Sequence, residues 1–138
     1  MRRPDWHLQF RLAVQAASAR PFAWGDHDCC LFPARVADAI TVDGDYVARL
    51  LAQFSYRSKA DVTALVATGR GLRAMMNAFM PSPEIPWGWA MMGDAVLLLD
   101  EADRRVLGVC EGAQALVAAE VGVVPVPMGR ALCAWRVA

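Results

Sequence analysis

Histidine is scarce in this sequence, and there is no excess of either charge. The chain has 2 histidines, His7 and His27, which leaves no imidazole after residue 27. Lysine plus arginine and aspartate plus glutamate both number 14, so the net charge is zero. Because a protein that holds a phosphate backbone needs a basic excess, we expect no nucleic-acid partner. No apolar run approaches the roughly 18 residues of a membrane span, so we expect no such span.

The cysteines do not form the pattern of a disulfide framework. The 4 cysteines are Cys29 and Cys30, which are adjacent, and Cys110 and Cys133, which are far away. A pair of zinc knuckles would need a different spacing, so we expect no metal and no other cofactor. Reduced thiols fit a protein made in the bacterial cytoplasm. The polar N-terminus, without an apolar stretch before a small-residue cleavage site, predicts no secretory signal.

Hydrophobic residues, by contrast, are plentiful. They make up 57% of 138 residues, which suffices for one packed core and predicts a single domain over 1–138. The pattern changes near residue 81: helical spacing precedes it, and short β-type runs broken by glycine and proline follow it. Helices first and an antiparallel meander afterwards predict an α+β fold.

The predicted elements follow from this pattern. Helices are expected over 5–19, 29–40, 46–53, 58–69 and 72–79, with Ser58 and Asp61 forming a loose capping box at the fourth. An extended, proline-rich connector covers 81–86. Strands are expected over 95–99, 106–110, 115–119, 123–128 and 132–137. Because Pro125 and Pro127 cannot donate a ladder hydrogen bond, the strand over 123–128 should form an edge or a wall.

One segment has residues suited to chemistry. Residues 22–32 read FAWGDHDCCLF, where Gly25 permits a sharp turn and Asp28 is the candidate cap of the next helix. Cys29 would then lie in the first helical turn, where free N–H groups and the helix dipole favour the thiolate. This is how a cysteine hydrolase activates its nucleophile. The competing interpretation is that Cys29 packs as a small buried hydrophobe.

The neighbours of Cys29 also have alternative interpretations. Cys30 should point about 100° away around the helix, and Cys110 and Cys133 lie in apolar strands, so all three are expected in the core. A zinc site from Cys29, Cys30, Cys110 and His27 would require long-range convergence. His27 itself either reaches the thiol as a base or braces the turn through hydrogen bonds to backbone.

The WGDHDCC segment at 24–30 resembles the active-site turn of the NlpC-type cell-wall peptidases, which are papain-like cysteine hydrolases of peptidoglycan peptides. Residues 92–97 (MGDAVL) resemble the family's Gly-Asp-hydrophobic strand. Residues 107–112 (LGVCEG) resemble its next strand, which normally reads His-Val-Gly-Ile-Tyr-x-Gly, and residues 121–127 resemble a later wall strand. The order and spacing match over roughly residues 20–137.

Within that family, the motifs of this sequence are most similar to those of a small phage-encoded branch. Its members have WGxHDCC near the start and a tryptophan, here Trp135, near the end. Proteins of that branch occur in prophage tail modules and have no assigned activity. The resemblance implies a papain-like, NlpC-type fold with N-terminal helices packed on a small antiparallel sheet. It also implies that Cys29 occupies the nucleophile position.

The sequence departs from the family at the general base. In this register, Val106 occupies the position of the family's histidine, and the third polar residue has no obvious match. A leaving amine needs a proton, and general acid–base help is worth on the order of 10²–10⁴-fold. Strand alternation would place Val106, Gly108 and Cys110 on one face, so we expect apolar side chains across from Cys29.

Three functions are compatible with these features. The first is a structural or assembly protein of a phage or prophage tail, incorporated in the virion tail or tail tip and contacting other phage tail proteins. Trp87 and Trp89 in the connector region would supply contact area for it. The alternative is an active cysteine peptidase or amidase that cleaves cell-wall peptides with Cys29 as nucleophile. The third is an immunity or toxin-related binding module.

Overall fold

The computed structural model describes residues 1–54, 58–61 and 71–138 of the chain. Among these residues, the helices with defined bounds before residue 81 are α1 (Trp6–Ser18), α2 (Leu31–Ile40), α3 (Tyr46–Gln53) and α4 (Leu72–Phe79). Residues 59–61 are also helical, and the Asp61 N–H donates to the Ser58 hydroxyl at 3.1 Å, as a capping box requires. The rest of the helix predicted over 58–69 lies outside the described residues.

Six strands form one antiparallel sheet, which confirms the predicted α+β class. They are β1 (Glu84–Ile85), β2 (Ala95–Leu99), β3 (Arg105–Glu111), β4 (Gln114–Ala118), β5 (Val123–Pro127) and β6 (Ala131–Trp135). Their order across the sheet is β1-β6-β2-β3-β4-β5. The proline-containing β5 lies at an edge of the sheet, as predicted. An edge strand suits proline because one side of it has no neighbouring strand that needs an N–H donor.

Strand β1 was not predicted from the sequence. Glu84 and Ile85 pair with Trp135 and Ala134 of β6, inside the segment expected to be an extended connector. Pro83 and Pro86 flank the pair and limit it to 2 residues. The connector therefore forms the second edge of the sheet.

The centre of the sheet is buried on both faces. Four consecutive residues of β2 (Ala95–Leu98) and four of β3 (Leu107–Cys110) are buried. One face packs against the helices, and its sheet residues include Leu97, Leu107, Val109, Leu116 and Trp135. The opposite face forms a second core with Val96, Leu98, Cys110, Val117 and Ala134. Burial on both faces explains why the sequence shows apolar runs instead of alternation.

Helix α2 lies at the centre of the helical layer. It contacts α1, α3 and strand β3, and seven of its ten residues are buried. Packing on three sides fixes the direction of the helix. The position of its N-terminus, next to Cys29 and Cys30, is therefore set by the core.

A buried carboxylate ties the chain ends to the sheet. Asp94, at the start of β2, is fully buried and accepts from the backbone N–H groups of Met91 at 2.9 Å and Val137 at 3.0 Å. It also pairs with Arg2 at 2.9 Å and Arg136 at 3.2 Å. One anion thus accepts four donors from the beginning, the middle and the end of the chain.

Arg2 extends the same network. It donates to the carbonyl oxygens of Val137 at 2.8 Å and Met92 at 2.7 Å, and its guanidinium lies 4.4 Å from the ring centroid of Trp6. A guanidinium over an indole face is held by the ring quadrupole. The N-terminal residues are therefore fixed against both α1 and the C-terminal segment.

Substitution of Asp94 by asparagine should lower the free energy of unfolding by about 3 kcal/mol, because it leaves two guanidinium groups without their anion. Urea unfolding of the purified variant measures the change. The matched control is Asp103→Asn, since Asp103 pairs with Arg130 at 2.6 Å on an exposed turn. Two variants with the same small loss would contradict a central role for Asp94.

Candidate functional site: the Cys29 groove

The segment before α2 forms a tight turn. Ala23 and His27 exchange two backbone hydrogen bonds, of 3.0 and 2.9 Å, and the Asp26 N–H donates to the Ala23 carbonyl oxygen at 3.0 Å. Gly25 has a φ of 82°, in the left-handed region where a side chain is strained. The turn directs the following residues, Asp28 to Cys30, into the first turn of the helix.

Asp28 organises this turn from inside the protein. Its fully buried carboxylate accepts from Gly25 N–H at 2.9 Å, Cys30 N–H at 2.9 Å and Leu31 N–H at 2.8 Å. Such bonds satisfy the free donors at the start of α2. The helix itself begins at Leu31, two residues later than predicted, so Cys29 lies in the turn that leads into it. The difference arises at Pro33, which has no N–H to donate to the Cys29 carbonyl oxygen, so the helical ladder is interrupted between the Phe32 bond to Asp28, of 3.0 Å, and the Ala34 bond to Cys30, of 3.4 Å.

The His27 side chain is engaged with backbone. Its Nε2 lies 2.9 Å from the carbonyl oxygen of Gly122, in the turn between β4 and β5. A carbonyl can only accept, so Nε2 carries the proton in this bond. The ring is buried and meets Phe32 edge-on, with centroids 6.1 Å apart. This contact is the one expected of a histidine that braces the turn.

The Cys29 side chain is half-buried and lies beside the Cys30 thiol and the backbone of β3. The two sulfurs are 3.9 Å apart, and the Leu107 backbone N–H faces the Cys29 thiol. The thiol of Cys30 first, and the Leu107 amide with it, lower the pKa of Cys29 below its ordinary value, against the opposing effects of burial and the Asp28 charge. Burial instead raises the pKa of Cys110 and of Cys133. Cys29 is therefore more readily ionised than the two strand thiols.

Cys29 opens into a groove of about 1300 Å³. The β3–β4 ladder runs from Glu111–Gln114 to Val109–Leu116, and the groove lies beyond its end, between Arg105 and Val106 of β3 and Val117 and Ala118 of β4. Its apolar lining includes Phe22, Trp24, Leu72, Val106, Val117 and Val126. Its charged lining, among the described residues, is Lys59, Arg104, Arg105, Asp100, Glu101 and Glu120.

The strand face that meets Cys29 differs from the predicted one, although the wall beside the sulfur is apolar as expected. Val106 packs into the second core, whereas Leu107 points into the helix-side core, against which Cys29 also packs. The strand residue beside the sulfur is therefore Leu107 and not Val106. The groove is also not wholly apolar, because the β2–β3 turn brings Arg104 and its partner Asp100, 3.1 Å apart, to its rim.

No histidine is among the described residues that line the groove. His7 is exposed on α1 and stacks on Trp6, with ring centroids 3.6 Å apart. In the described parts of the chain, histidine, cysteine, aspartate and glutamate side chains form no group of three suited to a metal ion. The zinc alternative therefore receives no support from the geometry.

A second surface carries the two connector tryptophans. Trp87–Trp89 form a short 3-10 turn, in which the side chains of Trp87 and Trp89 are 42% and 69% exposed. Arg136 holds this turn, donating to the Trp89 carbonyl oxygen at 2.8 Å and to the Met91 sulfur at 2.8 Å. The same arginine pairs with Asp94. The tryptophans are thus presented on a segment attached to the Asp94 network.

These features define an α+β domain with a buried-aspartate turn, an ionisable cysteine and a groove. Over residues 1–137 the chain matches the family described as "Domain of unknown function (DUF6950)", and it belongs to that family. No curated protein matches the chain. Within residues 1–54, 58–61 and 71–138, no helix combines the length and apolar character needed to cross a bilayer.

Substitution of Asp28 by alanine should cost about 1–2 kcal/mol of unfolding free energy, because three N–H donors lose their acceptor. Thermal melts followed by circular dichroism measure the loss. Asp26→Ala is the matched control, since Asp26 lies in the same turn but bonds to the exposed Arg20 side chain, at 2.7 Å. An unchanged melting temperature for Asp28→Ala would rule out the capping role.

Proposed function

We propose that this domain is a non-catalytic, NlpC-type papain-like protein that is built into phage or prophage tails as a structural or assembly component. It would be made in the bacterial cytoplasm and incorporated in the virion tail or tail tip. The arrangement supports this proposal, since a cysteine before a central helix packs against an antiparallel sheet. The resemblance implied the same arrangement.

The contact between Cys29 and Leu107 carries the proposal. An NlpC-type hydrolase needs an imidazole beside its thiol, and here a backbone amide and a fully buried leucine occupy that strand position. Without an acid to protonate it, the amine is a poor leaving group when an amide bond is cleaved. The one histidine near the turn uses its Nε2 in a bond to Gly122. The thiol is therefore equipped to ionise but not to turn over a peptide bond.

The exposed tryptophans support an assembly role. Trp87 and Trp89 lie on a segment held by Arg136, so they offer aromatic area whose conformation is already fixed. Aromatic side chains are enriched in protein interfaces, and a fixed conformation reduces the entropy lost on binding. Met91 and Met92, 49% and 37% exposed, extend the same patch. We take this patch as the contact with other phage tail proteins.

Purified protein should not cleave peptidoglycan fragments, because the described residues that line the groove include no imidazole to protonate the leaving amine. Chromatography of the digest, beside a peptidoglycan hydrolase of known activity, measures cleavage. The variants Cys29→Ala, His27→Ala and His27→Gln are run in parallel, and circular dichroism verifies that each is folded. Cleavage by the wild type that the Cys29 and His27 substitutions abolish would make this chain a Cys29–His27 peptidase and overturn the proposal.

Alanine in place of Trp89 should reduce incorporation of the tagged protein into tail particles by at least about tenfold, the effect of one interface hot spot. Quantitative blotting of purified particles, made in a host that carries the phage genes, measures incorporation. Val121→Ala is the matched control, because Val121 is equally exposed at 69% and lies outside the patch. Equal incorporation of both variants would show that the tryptophan patch is not the contact.

A further inference from the structure

Cys29 and Cys30 form the only thiol pair within hydrogen-bond distance among the described cysteines. Their sulfurs are 3.9 Å apart, and the two differ in environment. Cys30 is 3% exposed and belongs to the helix-side core, whereas Cys29 is half-buried and lines the groove. A reagent that enters the groove therefore meets the Cys29 sulfur first, with a second thiol behind it.

The groove restricts what this thiol can react with. Amide cleavage needs a general acid, and the described residues that line the groove include no imidazole that could act as one. Exchange with a disulfide has no such requirement, because the group that leaves is a thiolate. An S–H group and an N–H group beside the sulfur stabilise the attacking anion. The site is thus better suited to thiol–disulfide exchange than to hydrolysis.

The rim of the groove indicates the class of partner molecule. The described residues that line it include both basic and acidic side chains: Lys59, Arg104, Arg105, Asp100, Glu101 and Glu120. A mixed rim complements a small molecule that carries both carboxylate and ammonium groups. Apolar side chains, Phe22 and Val126 among them, line the rest of the groove, where the carbon chain of such a molecule can lie.

We propose that Cys29 is an S-thiolation site, which takes one half of a small zwitterionic peptide disulfide bound in the groove. The Cys29 thiolate attacks one sulfur of the disulfide, a new S–S bond forms, and the old S–S bond breaks. Cys29 is oxidised, and the departing half is reduced to a thiolate that takes a proton from water. This inference does not depend on the assembly role proposed above.

The reaction should stop at the mixed disulfide. Closing a Cys29–Cys30 bond would join residues whose Cα atoms are about 3.8 Å apart across a trans peptide, below the usual disulfide range. The Asp28 carboxylate also holds the Cys30 N–H at 2.9 Å, which opposes twisting of the intervening peptide. Cys30 therefore serves as the hydrogen-bond donor to Cys29 and not as a resolving thiol.

The test uses the full chain and oxidised glutathione as the probe. Intact mass spectrometry should show a single glutathione adduct, and peptide mapping of the wild type should locate it on Cys29. Cys29→Ser should abolish it. Cys30→Ala, which removes one donor, should slow its formation about three- to tenfold, whereas Cys110→Ala should leave the rate unchanged. Circular dichroism verifies that each variant is folded.

Two comparison probes test the class of ligand. Cystamine carries only positive charges and hydroxyethyl disulfide carries none, so both should react more slowly than oxidised glutathione. Equal rates for all three would overturn the assignment of a zwitterionic ligand. A native protein that shows no adduct, an adduct on Cys110 or Cys133, or oxidation to a Cys29–Cys30 disulfide without an adduct would each overturn the S-thiolation site.

Discussion

The pairing of Asp94 with Arg2 and Arg136 is the interaction on which the rest of the architecture depends. A carboxylate with no solvent exposure is costly unless every lone pair is used, and this one accepts two backbone N–H groups as well as two guanidinium groups. Meeting that demand requires both chain ends to converge at the start of β2. Strand β6 consequently pairs with β2, and the connector with its tryptophans adds to β6.

Asp28 plays the corresponding role for the groove. The core fixes the axis of α2, and the carboxylate then holds the two residues before the helix in a turn with three N–H bonds. This turn delivers the Cys29 sulfur to β3 just beyond the point where the β3–β4 ladder ends. The Leu107 amide, which has no β4 partner in this ladder, therefore faces the thiol and helps to lower its pKa. The environment of the thiol and the position of the groove both depend on where one ladder stops.

Local patterns in the sequence predicted most of this fold, and non-local contacts explain what they missed. The change at residue 81 and the prolines of β5 are local signals, so the helical half, the sheet and its edge were predicted. Strand β1 has two residues between prolines and exists only because Trp135 and Ala134 pair with it. Alternation correctly placed Val106 and Cys110 on one face of β3, but burial on both faces of the strand gave no signal for which face meets Cys29. The Leu107–Cys29 contact likewise depends on tertiary placement.

The residue beside the thiol shows how the scaffold can be stable without the base. Leu107 is fully buried in the helix-side core, so an imidazole there would lose its hydration and part of the core packing. A catalytic site tolerates that loss because activity requires it, and a structural protein gains stability by avoiding it. Asp28 and Asp94 make their contacts with backbone donors and arginines, none of which needs a base on β3. The turn, the groove and the ionisable cysteine therefore do not depend on a base on β3, and a buried leucine beside the thiol is compatible with the non-catalytic role proposed above.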